Sequence, residues 1–339
     1  MSERKLATIQ EILDVQPIEG ADSIEKIKVK GWWCVSGKGN FKTGDKAVYF
    51  EVDSLLPIND HFKFLEPRGR KKMIFDGKDI EGYRLKTIKL RGQISQGLCL
   101  PLKDFFEEDL PLGEDVTEKL QVVKYEEPVP AYLSGKVKGR FPGFLQKTEE
   151  ERIQNLPEYF ETMQGRLFYI TEKVDGSSGT YYIKNGKFGV CSRNLELLEE
   201  ETNTFWKMAR YFHLEEVLTK TGKNLAIQGE VVGPGIQKNR LKLSNVTLMV
   251  FTIFDIDTYQ RYNFKEFIEF CETNKLQTVP IVNKSWAFQG SMDDIIAMAD
   301  GESLVNKNTK REGLVFRALD ETQISFKSLS NKYLLKHEE

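Results

Sequence analysis

The chain has 339 residues, 40% of them hydrophobic and 29% charged, and 49 basic against 51 acidic side chains leave a formal net charge of -2. That balance excludes attraction to nucleic acid by bulk charge, so any such contact needs a local patch. With no run of eighteen apolar residues and no signal peptide, neither a membrane span nor secretion is expected, and the length favours two domains.

From the N-terminus the chain reads as short strands. Ala7, Ile9, Leu13 and Val15 share one face at period two, Ile27 and Val29 lead to Trp32-Trp33-Cys34-Val35, and Ala47–Val52 follows a Thr43-Gly44-Asp45 turn. Tyr83–Leu90 alternates as one strand, and Gly97–Pro101 closes the set. About five such strands with Gly-rich turns predict a small β-barrel, with the OB-fold as the natural candidate. The Pro-, Gly- and charge-rich stretch from Glu126 to Pro142 reads as a linker, giving domains at 1–135 and 148–339 joined by 136–147. Thr148-Glu149-Glu150-Glu151 matches a capping box and predicts a helix through Asn155. Further helices are expected at Thr202–Thr219, Lys265–Asn274 and Asp293–Asp300 among strands, so the fold class is α+β.

The four cysteines, Cys34, Cys99, Cys191 and Cys271, lie far apart, and the three histidines are scattered. A zinc site or disulfide framework is therefore not expected, which points to a reducing compartment, cytoplasmic or nuclear.

Chemistry concentrates in the second half. The apolar run Leu167-Phe168-Tyr169-Ile170 ends in Thr171-Glu172-Lys173-Val174-Asp175-Gly176, a Lys-x-Asp-Gly pattern. An ordinary lysine, with a pKa of about 10.4, is a poor nucleophile at neutral pH. Desolvation beside a strand, with positive charge nearby, favours the neutral amine. Glu230 lies in the strand-like Leu225–Val232, where a buried carboxylate needs a metal, a donor or a ligand. Glu312 opens another strand, and carboxylate oxygens suit hard cations such as Mg²⁺ or Mn²⁺. No P-loop pattern and no Gly-x-Gly-x-x-Gly after a strand is present.

The order Lys173-x-Asp-Gly, Ser192-Arg193-Asn194, Gly229-Glu230, Phe254, Glu312-Gly313 and Lys327 resembles the nucleotidyltransferase motifs of ATP-dependent polynucleotide ligases and capping enzymes. The barrel-like part in front, the Lys147–Asn155 lead-in and the run Gly233-Pro234-Gly235-Ile236-Gln237-Lys238-Asn239 look like the RNA ligase family typified by the Deinococcus enzyme. That resemblance implies an N-terminal OB domain, an adenylyltransferase domain and three steps: adenylylation of Lys173, transfer of AMP to a 5'-phosphate, and attack by an RNA 3'-OH at a nick. It implies ATP and Mg²⁺ or Mn²⁺ as cofactors, with the metal on Glu312 and Glu230. Nucleotide contacts would come from Thr171, Glu172, Lys173, Asp175, Gly176, Arg193, Glu230, Phe254 and Lys327. In that scheme Arg193 holds ribose and phosphate, Phe254 stacks on the purine, and Lys327 meets the α-phosphate beside the catalytic Lys173. Many members carry two lysines one residue apart in the last motif; here Lys327 has Ser325 and Leu329 at those places, and Lys332 is the nearest substitute. The partner would be a nicked duplex with an RNA 3'-OH end; the oligomeric state is left open, with a monomer assumed. Candidate phosphate contacts on the first domain are Arg68, Arg70, Lys71, Lys72, Lys86, Lys89 and Arg91, interleaved with Phe64, Phe75 and Tyr83. A GTP-dependent capping guanylyltransferase, a DNA ligase and a catalytically degenerate RNA-binding protein remain the rival readings.

Overall fold

In the computed structural model, residues 4–126 and 134–337 are described. They form two compact units, one of 4–126 with 154–157 and 334–337, the other of 134–153 with 158–333.

The first unit is built of short antiparallel strands. Ala7–Glu11 and Leu98–Pro101 flank Lys46–Phe50, while Asp14–Pro17, Ile24–Val29 and Trp32–Gly37 form a three-stranded sheet. Alternation sends Ile27, Val29, Trp32 and Cys34 into one apolar cluster and Ile9, Val48 and Phe50 into another. The stretch expected as one strand over 83–90 is split. Lys78–Arg84 stays in one sheet and Ile88–Leu90 pairs with Gln93–Ser95, because Leu85 turns back to exchange hydrogen bonds with Ser54 and Asp53. Arg91 and Gly92, at φ 47° and 84°, make the tight turn of that small hairpin.

The second unit faces two sheets with chemistry on their edges. One has Leu167–Lys173 between Ile281–Ala287 and Gly313–Ala318, with Ser325–Leu329 outermost. Phe168, Phe316 and Phe326 pack on one face of it, Phe316 stacked on Phe326 at 4.6 Å. The other is seven-stranded and includes Ser177–Lys184, Leu225–Val232 and Thr247–Asp255. Ile227, Val231, Val250 and Ile253 on one of its faces pack with Phe205, Leu214, Leu218 and Phe267 of the helices.

Several local expectations give way to tertiary structure. The stretch 136–147 is not a spacer: Val137–Arg140 pairs with Leu195–Leu197, and Leu145 enters a core cluster. The residues 127–133 of the expected linker lie outside the described residues. The capping box at Thr148 does not form either; only Ile153–Asn155 makes a 3-10 turn, followed by the helix Pro157–Met163. Thr148 instead bonds Ser178 at 2.7 Å, and Glu150 is drawn into a buried ion cluster. The helix expected over 202–219 is two, Thr204–Tyr211 and Leu214–Lys220, separated where His213 takes a left-handed φ of 52°. Phe264–Thr273 and Met292–Met298 occupy the other two expected places, each opened by a capping box, from Asn263 and Ser291.

Glu150 lies within 3.0 Å of Arg317 and 3.4 Å of Arg261, and Ser325 donates to it. All three charged groups are more than nine-tenths buried. Burial pushes the Glu150 carboxyl up, yet Arg261 and Arg317 outweigh it and hold the group below its ordinary value. Glu150→Ala strands two guanidinium groups in one buried space. Such a loss costs about 3–5 kcal/mol, and urea unfolding followed by tryptophan fluorescence should show a lower midpoint; an unchanged midpoint refutes the assignment.

Candidate active site

Lys173 ends the central strand of the four-stranded sheet. Cross-strand partners share a face, so the register places three rows on Lys173's side: Tyr169, Arg317 and Ser325; Thr171, Val315 and Lys327; Lys173, Gly313 and Leu329. Lys327 is thus one row from the nucleophile position, on the same face. Leu329 occupies the row of Lys173 itself and is buried, while Lys332 pairs with Asp300 at 3.1 Å.

Gly176 and Gly313 make the convergence possible. A Cβ on Gly176 would lie 2.5 Å from the Val231 carbonyl oxygen and 2.8 Å from the Glu230 side chain. One on Gly313 would lie 2.3 Å from the Ser328 carbonyl oxygen. Without side chains there, the Lys-x-Asp-Gly turn closes against the strand of Glu230, and Glu312 comes beside Lys173. Steric clearance is what the fold asks of Gly176.

The Lys173 Nζ is 2.6 Å from Glu312 Oε2, with both side chains partly buried. Burial pushes the ammonium's pKa down, but Glu312, Glu230 and Asp175 together raise it above the ordinary lysine value. The amine is therefore fully cationic at neutral pH before substrate arrives, contrary to the depressed pKa that desolvation alone predicts. Burial raises the Glu230 carboxyl to about 8, Lys173 opposing and Glu312 reinforcing the shift. Burial likewise raises Glu312, against the pull of Lys173.

Asp175 accepts from Arg240 at 3.0 Å and from the Tyr333 hydroxyl at 2.7 Å. Neither partner is evident from the motif; both come from far along the chain. Arg193 is half exposed, 3.2 Å from Glu149, and near enough to lower the pKa of Glu230.

Two expected nucleotide contacts sit elsewhere. Glu172 points to the opposite face from Lys173, where its buried carboxylate accepts from Ser303 and from the Leu304 amide at 2.7 Å. The alternation of the strand alone dictates that separation. Phe254 has no exposed surface and meets Tyr259 edge-on at 5.0 Å among Leu145, Tyr182 and Ile256. Phe251 is the partly exposed aromatic of that strand. It packs against the apolar cluster that includes Val174, the residue after Lys173, and its carbonyl accepts from Arg317 at 2.8 Å. A bulge opposite Gln228 and Gly229 resets the alternation between the two rings, which the sequence pattern did not reveal.

Among the described residues no cluster of three or more His, Cys, Asp or Glu stands ready to hold a metal. Glu230 and Glu312 fit a hard cation that keeps waters and takes substrate phosphates to complete its shell.

In the first unit, Arg68 to Lys72 lie along the end of the turn Asp60–Arg68 and the start of the strand Lys71–Phe75. Arg70 there is 3.0 Å from Glu66 and 3.8 Å from Glu81. Lys86, Lys89 and Arg91 belong to a different place, the segment leading into the hairpin and the hairpin itself.

An OB-fold domain profile matches residues 6–102 and an RNA ligase profile residues 166–334. Naegleria gruberi RNA ligase in an apo mutant form is 43% identical, with a TM-score of 0.93, covering 100% of this chain and 99% of that one. The chain belongs to the RNA ligase family. A lysine-to-alanine mutant of the Naegleria enzyme with ATP and Mn matches at 42% identity and a TM-score of 0.91, covering 98% and 99% of the two chains. The same enzyme with PPi matches at 43% and 0.92, covering 99% of each. No curated protein sequence matches the chain. With the family shown, the capping and DNA-ligase readings lose their footing.

Proposed function

We propose that this chain is an ATP-dependent RNA ligase of the Deinococcus type, sealing an RNA 3'-OH to a 5'-phosphate at a nick through lysyl-AMP. The observation that carries this reading is the 2.6 Å approach of Lys173 to Glu312 at the mouth of two sheets, in a chain that is 43% identical over its full length to an RNA ligase. The OB-fold match preceding the ligase match supports the domain order of that type.

In the first step the neutral Lys173 Nζ attacks the α-phosphorus of ATP. An N–P bond forms, the bond to the bridging oxygen breaks and pyrophosphate leaves; the nitrogen, cationic in the resting site, gives one proton to solvent before the attack and a second as the N–P bond forms. Glu230 and Glu312 would hold the divalent cation, which as a Lewis acid neutralises phosphate charge. Lys327, one row away, would stabilise charge on the α-phosphate, and Arg193 would meet the ribose and phosphate side. Asp175, fixed by Arg240 and Tyr333, positions the turn that carries Lys173. A 5'-phosphate oxygen then attacks the AMP phosphorus and frees the lysine, and the 3'-OH attacks the activated 5'-phosphate and expels AMP.

Incubation with α-labelled ATP or GTP and Mn²⁺ is expected to label the protein from ATP alone. Label from GTP alone refutes the reading, and label from neither favours a degenerate binding protein. Nicked duplexes with RNA or DNA 3'-OH ends then test the sealing specificity.

A further inference from the structure

The first unit carries a face that the ligase chemistry does not use. In the sheet Asp14–Pro17, Ile24–Val29, Trp32–Gly37, alternate residues enter the core, which leaves Lys26, Lys28, Trp33 and Val35 on the outer side, partly exposed. Lys28 lies directly across from Trp33 and Lys26 one diagonal step away. Their ammonium groups sit 4.7 Å (Lys26) and 5.5 Å (Lys28) from the indole ring centre.

Neither lysine has a carboxylate within ion-pair distance among the described residues. Asp14, across from Lys28, is bonded by Gln16 at 2.6 Å, and Glu25 accepts from the Gly39 amide at 2.9 Å. An ammonium held only over a partly exposed ring is weakly held and can trade that contact for one with a phosphate. The hairpin of Lys89 and Arg91 runs alongside: the Gln96 amide donates to the Trp33 carbonyl at 2.9 Å, and the Val35 amide to Ser95 Oγ at 2.9 Å. Arg70, by contrast, is already neutralised by Glu66.

We propose that this outer face is a docking site for single-stranded RNA, with Trp33 stacking on an unpaired base and Lys26 and Lys28 meeting the flanking phosphates. A partly exposed indole beside two cations that have no carboxylate partner among the described residues offers a ring for a base and charge for the adjoining phosphates, and any base supplies a π-face. A duplex buries those faces, which is why the occupant is an unpaired stretch. The OB-fold presents strands of this kind to oligonucleotides. That the strand is RNA rests on the ligase reading.

The test uses the full chain, a fluorescein-labelled oligouridylate 12-mer and a blunt RNA duplex of the same length, with anisotropy read over a salt series. Trp33→Ala should weaken single-strand binding roughly 5- to 150-fold and leave duplex binding within about twofold, with Trp33→Phe recovering part of the loss. The Lys26→Gln/Lys28→Gln double variant should lower the salt slope by about 1.4, from about 0.7 per lost phosphate contact. Lys265→Ala, on the exposed side of the helix Phe264–Thr273 in the other unit, serves as the control that changes neither. Single-strand affinity unchanged in Trp33→Ala, equal losses on strand and duplex, or no wild-type binding to the 12-mer each overturn the proposal. Labelling by ATP in the same preparations reports on the ligase reading separately, because Lys173 lies in the other unit.

Discussion

Lys173→Ala is expected to abolish covalent AMP labelling, a loss of roughly 10³-fold or more, because no other amine lies in its row. Gly313 and Leu329 are its cross-strand neighbours there, and Lys327 is a row away. Lys173→Arg should be equally inactive: a guanidinium keeps the ion pair to Glu312 but does not deprotonate. Both variants should retain RNA binding and the wild-type melting temperature within a few degrees, since the side chain is partly solvent-exposed and removing it leaves the aromatic packing on the opposite face intact. Mass spectrometry of the protein after incubation with ATP and Mn²⁺ checks this directly. An adduct of AMP on either variant, at the wild-type rate, refutes Lys173 as the nucleophile.

How much of this site is legible in sequence depends on whether the signal is local. Lys173 stands at the end of an apolar run, and Glu230 and Glu312 stand in or at strands, so their convergence follows once the strands pair. Strict alternation in Leu167–Lys173 also says that Glu172 and Lys173 face opposite ways; the motif pattern, read as a linear string, hides it. The partners of Asp175 are a different case. Arg240 and Tyr333 lie 65 and 158 residues away, and nothing in their own neighbourhoods marks them. The Glu150 cluster joins residues separated by as many as 175 positions, and the apparent capping box is irregular chain instead. Phe254 misleads because one bulge residue changes which ring joins the cluster of Val174. In the first unit Arg70 is legible as basic, but its neutralisation by Glu66 is not. Trp33 and its two lysines stand in a pattern that any half-buried strand could show.

Glu312→Gln is expected to lower ATP labelling by roughly 100-fold or more at neutral pH, the several kcal/mol that an electrophilic cation contributes to phosphoryl transfer. It should also change the pH dependence in a direction fixed by the site's charges. In the wild type Glu312, Glu230 and Asp175 raise the Lys173 pKa above its ordinary value. The fraction of neutral amine then climbs tenfold per pH unit through the neutral range, and single-turnover labelling should rise with pH without a plateau until bound cation offsets the carboxylates. The ion pair's contribution to folding has the opposite sign: a raised lysine pKa stabilises the fold below the ordinary value and loses that effect only in strong alkali. Glutamine at 312 removes the hydrogen-bonded anion, so burial acts less opposed and the amine pKa falls. Lys173 in Glu312→Gln should react with acetic anhydride at a lower pH than in the wild type, even though ATP labelling is weaker. Reactivity of Lys173 rising over the same pH range in both proteins would show that Glu312 does not set its charge. Glu230, raised to about 8, must shed a proton to bind a cation, so Mn²⁺ affinity should strengthen as pH rises towards that value.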